Sequence, residues 1–173
     1  TEKNLYKTFA GESRAVVKYM LYAEQAKSEC YMWLGEVFDN TALNELAHAR
    51  VVVRTFLRII GTTLDNLKDS LAGETNEYEN LYKEFQETAE REGFTQIAKF
   101  YKELREVEES HARAFKDFID KLEDGTMFEG PVESKWYCMN CGYIYEGKSA
   151  PNACPICSYP KGYFIEFEES PFE

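Results

Sequence analysis

Only two histidines occur in the 173 residues, and each stands three positions after a glutamate and two before an arginine: Glu45-Leu46-Ala47-His48-Ala49-Arg50 and Glu108-Glu109-Ser110-His111-Ala112-Arg113. Residues at i and i+3 share one face of a helix, so each motif offers a carboxylate oxygen and an imidazole nitrogen to one point. An oxygen-rich donor set with a single imidazole suits iron or manganese better than a soft metal. A second donor type lies near the end of the chain, where Cys138-Met139-Asn140-Cys141-Gly142 and Cys154-Pro155-Ile156-Cys157 make two Cys-x-x-Cys pairs. Two such pairs build a tetrahedral four-sulfur site, which takes a structural zinc or a single iron. The fifth cysteine, Cys30, is expected to be a half-buried helix residue with no part in either site.

The elements that carry the first donor set are duplicated. Phe9-Ala10-Gly11-Glu12-Ser13 returns 62 residues later as Leu71-Ala72-Gly73-Glu74-Thr75, and the two Glu-x-x-His motifs lie 63 apart. Glu24-Gln25-Ala26-Lys27 also returns 63 residues later, as Glu87-Thr88-Ala89-Glu90. Apolar residues recur at helical spacing (Val16, Val17, Met20, Leu21; Leu34, Val37, Phe38, Leu46), and no proline precedes Pro131. Each unit is therefore predicted to be a helical hairpin, broken at Ser28-Glu29-Cys30 in the first copy and at Glu92-Gly93 in the second.

Folding each hairpin at its break sets Glu12 beside Glu45 and His48, and Glu74 beside Glu108 and His111. Two helices with one Glu and two with Glu-x-x-His make the carboxylate-bridged di-metal pattern of ferritin-like four-helix bundles. Glu77, one turn beyond Glu74, could be a further ligand. Tyr19 and Tyr82 share the faces of Glu12 and Glu74, from which either hydroxyl could orient a carboxylate. Carboxylates gathered in an interior need cations, because desolvation costs on the order of 20 kcal/mol per ion before relaxation.

After Asp124-Gly125-Thr126 the composition changes. The predicted organisation is a mainly α bundle over residues 1–124, a linker over 125–134 containing Gly130-Pro131-Val132, and a small β/knuckle domain over 135–173. Around the knuckles, Trp136, Tyr137, Tyr143, Tyr145, Tyr163, Phe164 and Phe167 could wall a small redox centre from water, which favours iron there over zinc. With 31 Asp+Glu against 20 Lys+Arg the formal charge is -11, which disfavours nucleic acid and anionic membrane surfaces as partners. No apolar run has the length of a membrane span, and cysteines in metal-binding pairs suit a reducing compartment, so a cytoplasmic location is expected.

These motifs resemble those of the rubrerythrins, over nearly the whole chain. The resemblance rests on Phe9-Ala10-Gly11-Glu12-Ser13, both Glu-x-x-His motifs, Ala72-Gly73-Glu74 with Glu77, and Trp136-x-Cys138-x-x-Cys141-Gly142-Tyr143 followed by Ala150-Pro151 and Cys154-Pro155-x-Cys157. It implies that Glu12, Glu45, Glu74, Glu77, Glu108, His48 and His111 hold two irons, and that Cys138, Cys141, Cys154 and Cys157 hold one rubredoxin-type iron. It also implies a peroxidase that reduces hydrogen peroxide to water, with electrons relayed through the rubredoxin-type iron from an NAD(P)H-dependent reductase or a rubredoxin. Tyr137, Met139, Ser158 and Tyr159 depart from what many relatives carry around the knuckles. Two other functions compete: a ferroxidase or iron-storage protein, and a non-enzymatic interaction protein with a zinc ribbon on a structural bundle.

One geometric expectation concerns assembly. A ferritin-like bundle needs its second and third helices parallel, so an intramolecular crossover must run back along roughly 40 Å of helix. Thr63-Leu64-Asp65-Asn66-Leu67 is predicted to start a helix, which leaves Gly61 and Thr62 as plain linker. That is too short, and a homodimer with swapped hairpins is the expected solution.

Overall fold

The computed structural model describes residues 1–167, so the last six residues assigned above to the thiolate domain lie outside the described residues. The chain divides into one unit spanning Thr1–Thr62 and a second from Thr63 onward.

The first unit is a hairpin of α1 (Glu2–Ser28) and α2 (Met32–Val51), the latter ending in a π turn over Val52–Leu57. Glu2 in the first turn and Lys27 in the last complement the dipole of α1. The two helices meet along a seam of small residues. Gly35, Ala42 and Ala49 of α2 are buried at a spacing of seven, opposite Ala23 and Ala26 of α1. Approach is close at Gly35, where an added Cβ would stand 2.6 Å from Lys27 Cγ. Lys27 lies across that glycine to reach Asp39 Oδ2 at 2.6 Å, tying the two helices near their turn.

The second unit repeats this hairpin and adds a sheet. α3 (Thr63–Asn76), a π turn at Glu77–Leu81 and α4 (Tyr82–Arg91) form one long arm against α5 (Thr95–Glu123). Aromatic triads repeat as well: Tyr19, Tyr22 and Phe38 cluster at 5.5–6.3 Å, and Tyr82, Phe85 and Tyr101, each 63 residues on, cluster at 5.4–6.2 Å.

Both predicted breaks are where the helices end. Tyr31 N–H donates to the Ala26 carbonyl and Cys30 N–H to Lys27; Phe94 N–H donates to Ala89 and Gly93 N–H to Glu90. Each turn is a Schellman closure with its αL residue at the same place in the repeat, Cys30 at φ 65° and Gly93 at φ 80°. Cys30 is thus exposed in the turn rather than half-buried in a helix, because a hairpin this tight needs a residue in the left-handed region.

The sheet has order β2-β1-β3, with β1 (Glu129–Cys138) central and antiparallel to both β2 (Ile144–Ser149) and β3 (Phe164–Phe167). Gly130-Pro131-Val132, expected in a linker, falls within β1, where the register with β2 slips between Glu129 and Ser134. A proline is tolerated in a sheet at such an irregularity, and β3 pairs only from Lys135 onward. Trp136, Cys138, Ala150, Cys154 and Phe164 form the core here, and Trp136 Nε1 donates to the Gly147 carbonyl at 3.0 Å. No helix among the described residues is long and apolar enough to cross a membrane.

A β-carbon in the αL region costs about 1–2 kcal/mol, partly offset by glycine's extra freedom in the unfolded chain. Cys30→Gly is therefore expected to raise stability by about 0.5–1 kcal/mol in equilibrium urea unfolding. A lowered midpoint would contradict this account of the turn.

Candidate metal centres

In the first hairpin, Glu12 from α1 and Glu45 and His48 from α2 each place a donor atom within 4.8 Å of the others. His48 Nδ1 lies 2.8 Å from Glu45 and 3.8 Å from Glu12. In the second, Glu74 from α3 and Glu108 and His111 from α5 do the same, with His111 Nδ1 2.8 Å from Glu108 and 3.7 Å from Glu74. The duplicated sequence has folded into duplicated geometry.

The carboxylates are the more enclosed members: the Glu108 side chain is 12% exposed, against 51% for His111. Among the described residues no lysine or arginine pairs with any of the four, and the cationic partner within reach of each pair is its histidine. The strain shows in their titration. Its hydrogen bond to Glu45, with burial added, lifts the Glu12 carboxyl above the ordinary range. The same bond, with the one from His48, holds Glu45 below it. Burial and then Glu108 raise Glu74. A cation bound at either cluster would offset the carboxylate charge, and two carboxylates with one imidazole suit iron or manganese.

Glu77 opens the π turn and lies outside the three-donor cluster, half-buried and close enough to raise Glu74 by its charge. Tyr82 is bonded to it. Burial first, then Glu77 and the charges of Glu108 and Glu74, push the Tyr82 hydroxyl up to about 12, so it stays a donor. Tyr19 instead packs on Phe38, with ring centroids 6.2 Å apart.

All four paired cysteines converge, with Cys138 Sγ 3.8 Å from Cys157 and Cys141 Sγ 3.6 Å from Cys154. A tetrahedral ion with metal–sulfur bonds of about 2.3 Å requires edges of about 3.8 Å, so the site fits one. The knuckles are related by a 16-residue offset: Cys138 and Cys154 N–H donate to the Tyr143 and Tyr159 carbonyls, while Gly142 and Ser158 N–H donate back to Cys138 and Cys154. Both turns need φ > 0, at 79° for Gly142 and 61° for Ser158.

The four thiols are inequivalent. At Cys141 the Tyr143 amide lowers the pKa, but burial and the other three thiols win and push it up to about 12. Burial raises Cys157, yet the Tyr159 amide, the Asn140 side chain and two thiols bring it down to about 6. Asn140 is a contributor the cysteine spacing does not reveal, being one of two unconstrained positions inside its Cys-x-x-Cys. Of the aromatic wall, Trp136 and Phe164 are buried and Tyr143 and Tyr145 pack against the core, but Tyr163 is 40% exposed and stacks edge-on with Tyr159 outside.

The family model for rubrerythrin matches residues 3–119 and again 65–141, and that for the rubrerythrin rubredoxin-like domain matches 136–165. The chain belongs to the rubrerythrin family. It is 41% identical to a rubrerythrin of Porphyromonas gingivalis over 95% of this chain and 88% of that one. A rubrerythrin of Nitratidesulfovibrio vulgaris is 36% identical over 95% and 92%, and rubrerythrin-1 of Clostridium acetobutylicum 35% over 98% and 95%. The rubrerythrin architecture is a ferritin-like helical part with a small antiparallel rubredoxin-like part, carrying a di-iron carboxylate/histidine site and a four-cysteine iron, and the donor sets found here fit both.

The raised Glu74 carboxyl has a consequence for metal-free protein. The folded state then holds this proton more tightly than the unfolded one, so stability falls as pH rises from the ordinary 4.5 through the raised value. Glu74→Gln is expected to stabilise the metal-free chain at pH 7, the advantage vanishing below the ordinary value. Chemical denaturation at both pH values checks it; an equal effect at both would contradict the repulsion.

Proposed function

We propose that the protein is a peroxidase that reduces hydrogen peroxide to water, with electrons relayed through the four-cysteine iron from an NAD(P)H-dependent reductase or a rubredoxin. The observation that supports this best is the presence in one chain of two Glu/Glu/His clusters and a four-sulfur site. Reducing one peroxide to two waters takes two electrons and two protons. An iron pair supplies two electrons together, and a thiolate iron passes them one at a time.

In this reading Glu12, Glu45, His48, Glu74, Glu108 and His111 hold the iron pair, with Glu77 as an additional carboxylate. Cys138, Cys141, Cys154 and Cys157 hold the single iron. The carboxylates would neutralise the cations, and each histidine would add a neutral nitrogen donor. The Tyr82 hydroxyl, protonated at any working pH, orients Glu77. The Trp136 and Phe164 core keeps water from one side of the four-sulfur site.

Each hairpin carries one histidine, so one complete centre requires both kinds of hairpin. Residues 58–62 connect α2 with its π turn to α3 and span at most about 18 Å. The helix they would have to run back along, Met32–Leu57, is roughly 39 Å long. We infer a homodimer in which the first hairpin of one copy meets the second hairpin of the other. The working division is a bundle over 1–124 and a rubredoxin-like domain whose central strand already begins at Glu129, in a reducing, cytoplasmic setting that suits five free thiols.

Anaerobic stopped-flow of the fully reduced protein against peroxide and dioxygen tests the activity. The expected result is rapid reoxidation of both iron chromophores by peroxide and slower reoxidation by dioxygen. Preference for dioxygen, with iron accumulating beyond three per chain, would identify a ferroxidase. A colourless protein with zinc in the thiolates would identify an interaction module.

A further inference from the structure

The second hairpin has one residue more than the first between its single glutamate and its tyrosine: Glu12 and Glu74 lie 62 apart, Tyr19 and Tyr82 63. α1 runs through residues 13–18 without interruption, whereas the second copy opens into the π turn, closed by Tyr82 N–H on the Glu77 carbonyl. The extra residue is absorbed as one widened turn. Glu77 begins it and has no acidic counterpart, since the equivalent positions in the first copy are Arg14 and Ala15.

A widened turn is maintained where a side chain donates into the helical ladder. Arg105 on α5 does so: its Nε donates to the Tyr78 carbonyl at 2.8 Å, inside the π turn, and its Nη1 donates to Gln86 Oε1 at 3.0 Å. It reaches there from the seam. Gly35, Ala42 and Ala49 of the first copy correspond to Ala98, Arg105 and Ala112 of the second, and Ala23 corresponds to Gln86. In the first hairpin Ala23 and Ala42 are 2% and 4% exposed, leaving no room for a guanidinium between regular helices. In the second, a large polar pair occupies the same place, and the helix opposite is bulged.

We propose that Arg105 is a positioning residue: from the helix seam it holds the Glu77–Leu81 π turn open, and so fixes Glu77 beside the Glu74, Glu108 and His111 cluster. The extra residue, the seam arginine and the surplus carboxylate form one device, present in the second hairpin and absent from the first. Its relevance to iron rests on the reading of that cluster as half of the di-iron site; its structural part does not.

The test uses the full chain, with and without iron, as wild type, Arg105→Ala, Arg105→Lys, a deletion of Glu79, and the deletion combined with Arg105→Ala. Arg105→Ala is expected to speed amide exchange across residues 78–82 by on the order of tenfold or more while leaving α1 unchanged, with Arg105→Lys restoring part of the protection. In the iron-loaded form, the ferric absorption of the carboxylate site shifts in Arg105→Ala while the thiolate-iron bands stay as in wild type. Removing Glu79 alone destabilises the chain, because a regular helix then closes on Arg105; adding Arg105→Ala to the deletion recovers stability. Unchanged exchange in Arg105→Ala, or a double variant no more stable than the deletion, would overturn the proposal. Failure of the di-iron reading is distinguishable: the wild type itself would then show no carboxylate-site absorption, while the exchange and stability results stand alone.

Discussion

Carboxylates that face one another at hydrogen-bonding distance, with no lysine or arginine among the described residues paired to them, are the constraint on which the rest of this fold depends. Glu12 against Glu45 and Glu74 against Glu108 repel unless a proton or a cation sits between them; the bond to Glu45, with burial, raises Glu12, and burial with Glu108 raises Glu74. Such an arrangement persists in a stable protein only when its charge is met by something bound. The histidine three residues after each helix-borne partner supplies a donor that need carry no charge, which completes a site without adding to the repulsion.

Holding the groups at that distance is the task of the hairpins. Small residues every seventh position let α1 and α2 approach closely, and a Schellman turn with one left-handed residue sets their register. The same turn joins α4 and α5, where Gly93 stands at the place of Cys30, while of the three seam positions Ala98 and Ala112 stay small and Arg105 does not. The rubredoxin-like part solves a different problem by similar repetition. Two knuckles with matching amide bonds point four sulfurs inward, where, against the Tyr143 amide, burial and the other three thiols push Cys141 up to about 12, while, against burial, the Tyr159 amide, Asn140 and two thiols bring Cys157 down to about 6.

Much of this was legible in the sequence because it depends on period and spacing. The helix breaks, the pairing of Glu12 with the Glu45/His48 motif, and the knuckles all follow from residues at fixed offsets. What escaped depends on context. A π turn has no composition of its own, and its one trace is the change of repeat offset from 62 to 63 between Glu74 and Tyr82. Cys30 carried no sign that the turn would need it at φ 65°, since glycine is the usual residue there. Gly130-Pro131-Val132 has loop composition, yet a register slip admits it to a strand. Asn140 acts on a sulfur through a side chain that any Cys-x-x-Cys spacing would permit.

The central claim is that both Glu/Glu/His clusters exist to bind iron. Diffraction from crystals of the iron-reconstituted protein, with data collected on either side of the iron absorption edge, measures it most directly. The account predicts three anomalous peaks per chain: one among Cys138, Cys141, Cys154 and Cys157, and two held by Glu12, Glu45 and His48 together with Glu74, Glu108 and His111. A single peak at the thiolates, with the carboxylate clusters free of metal in protein loaded under anaerobic conditions, would contradict it.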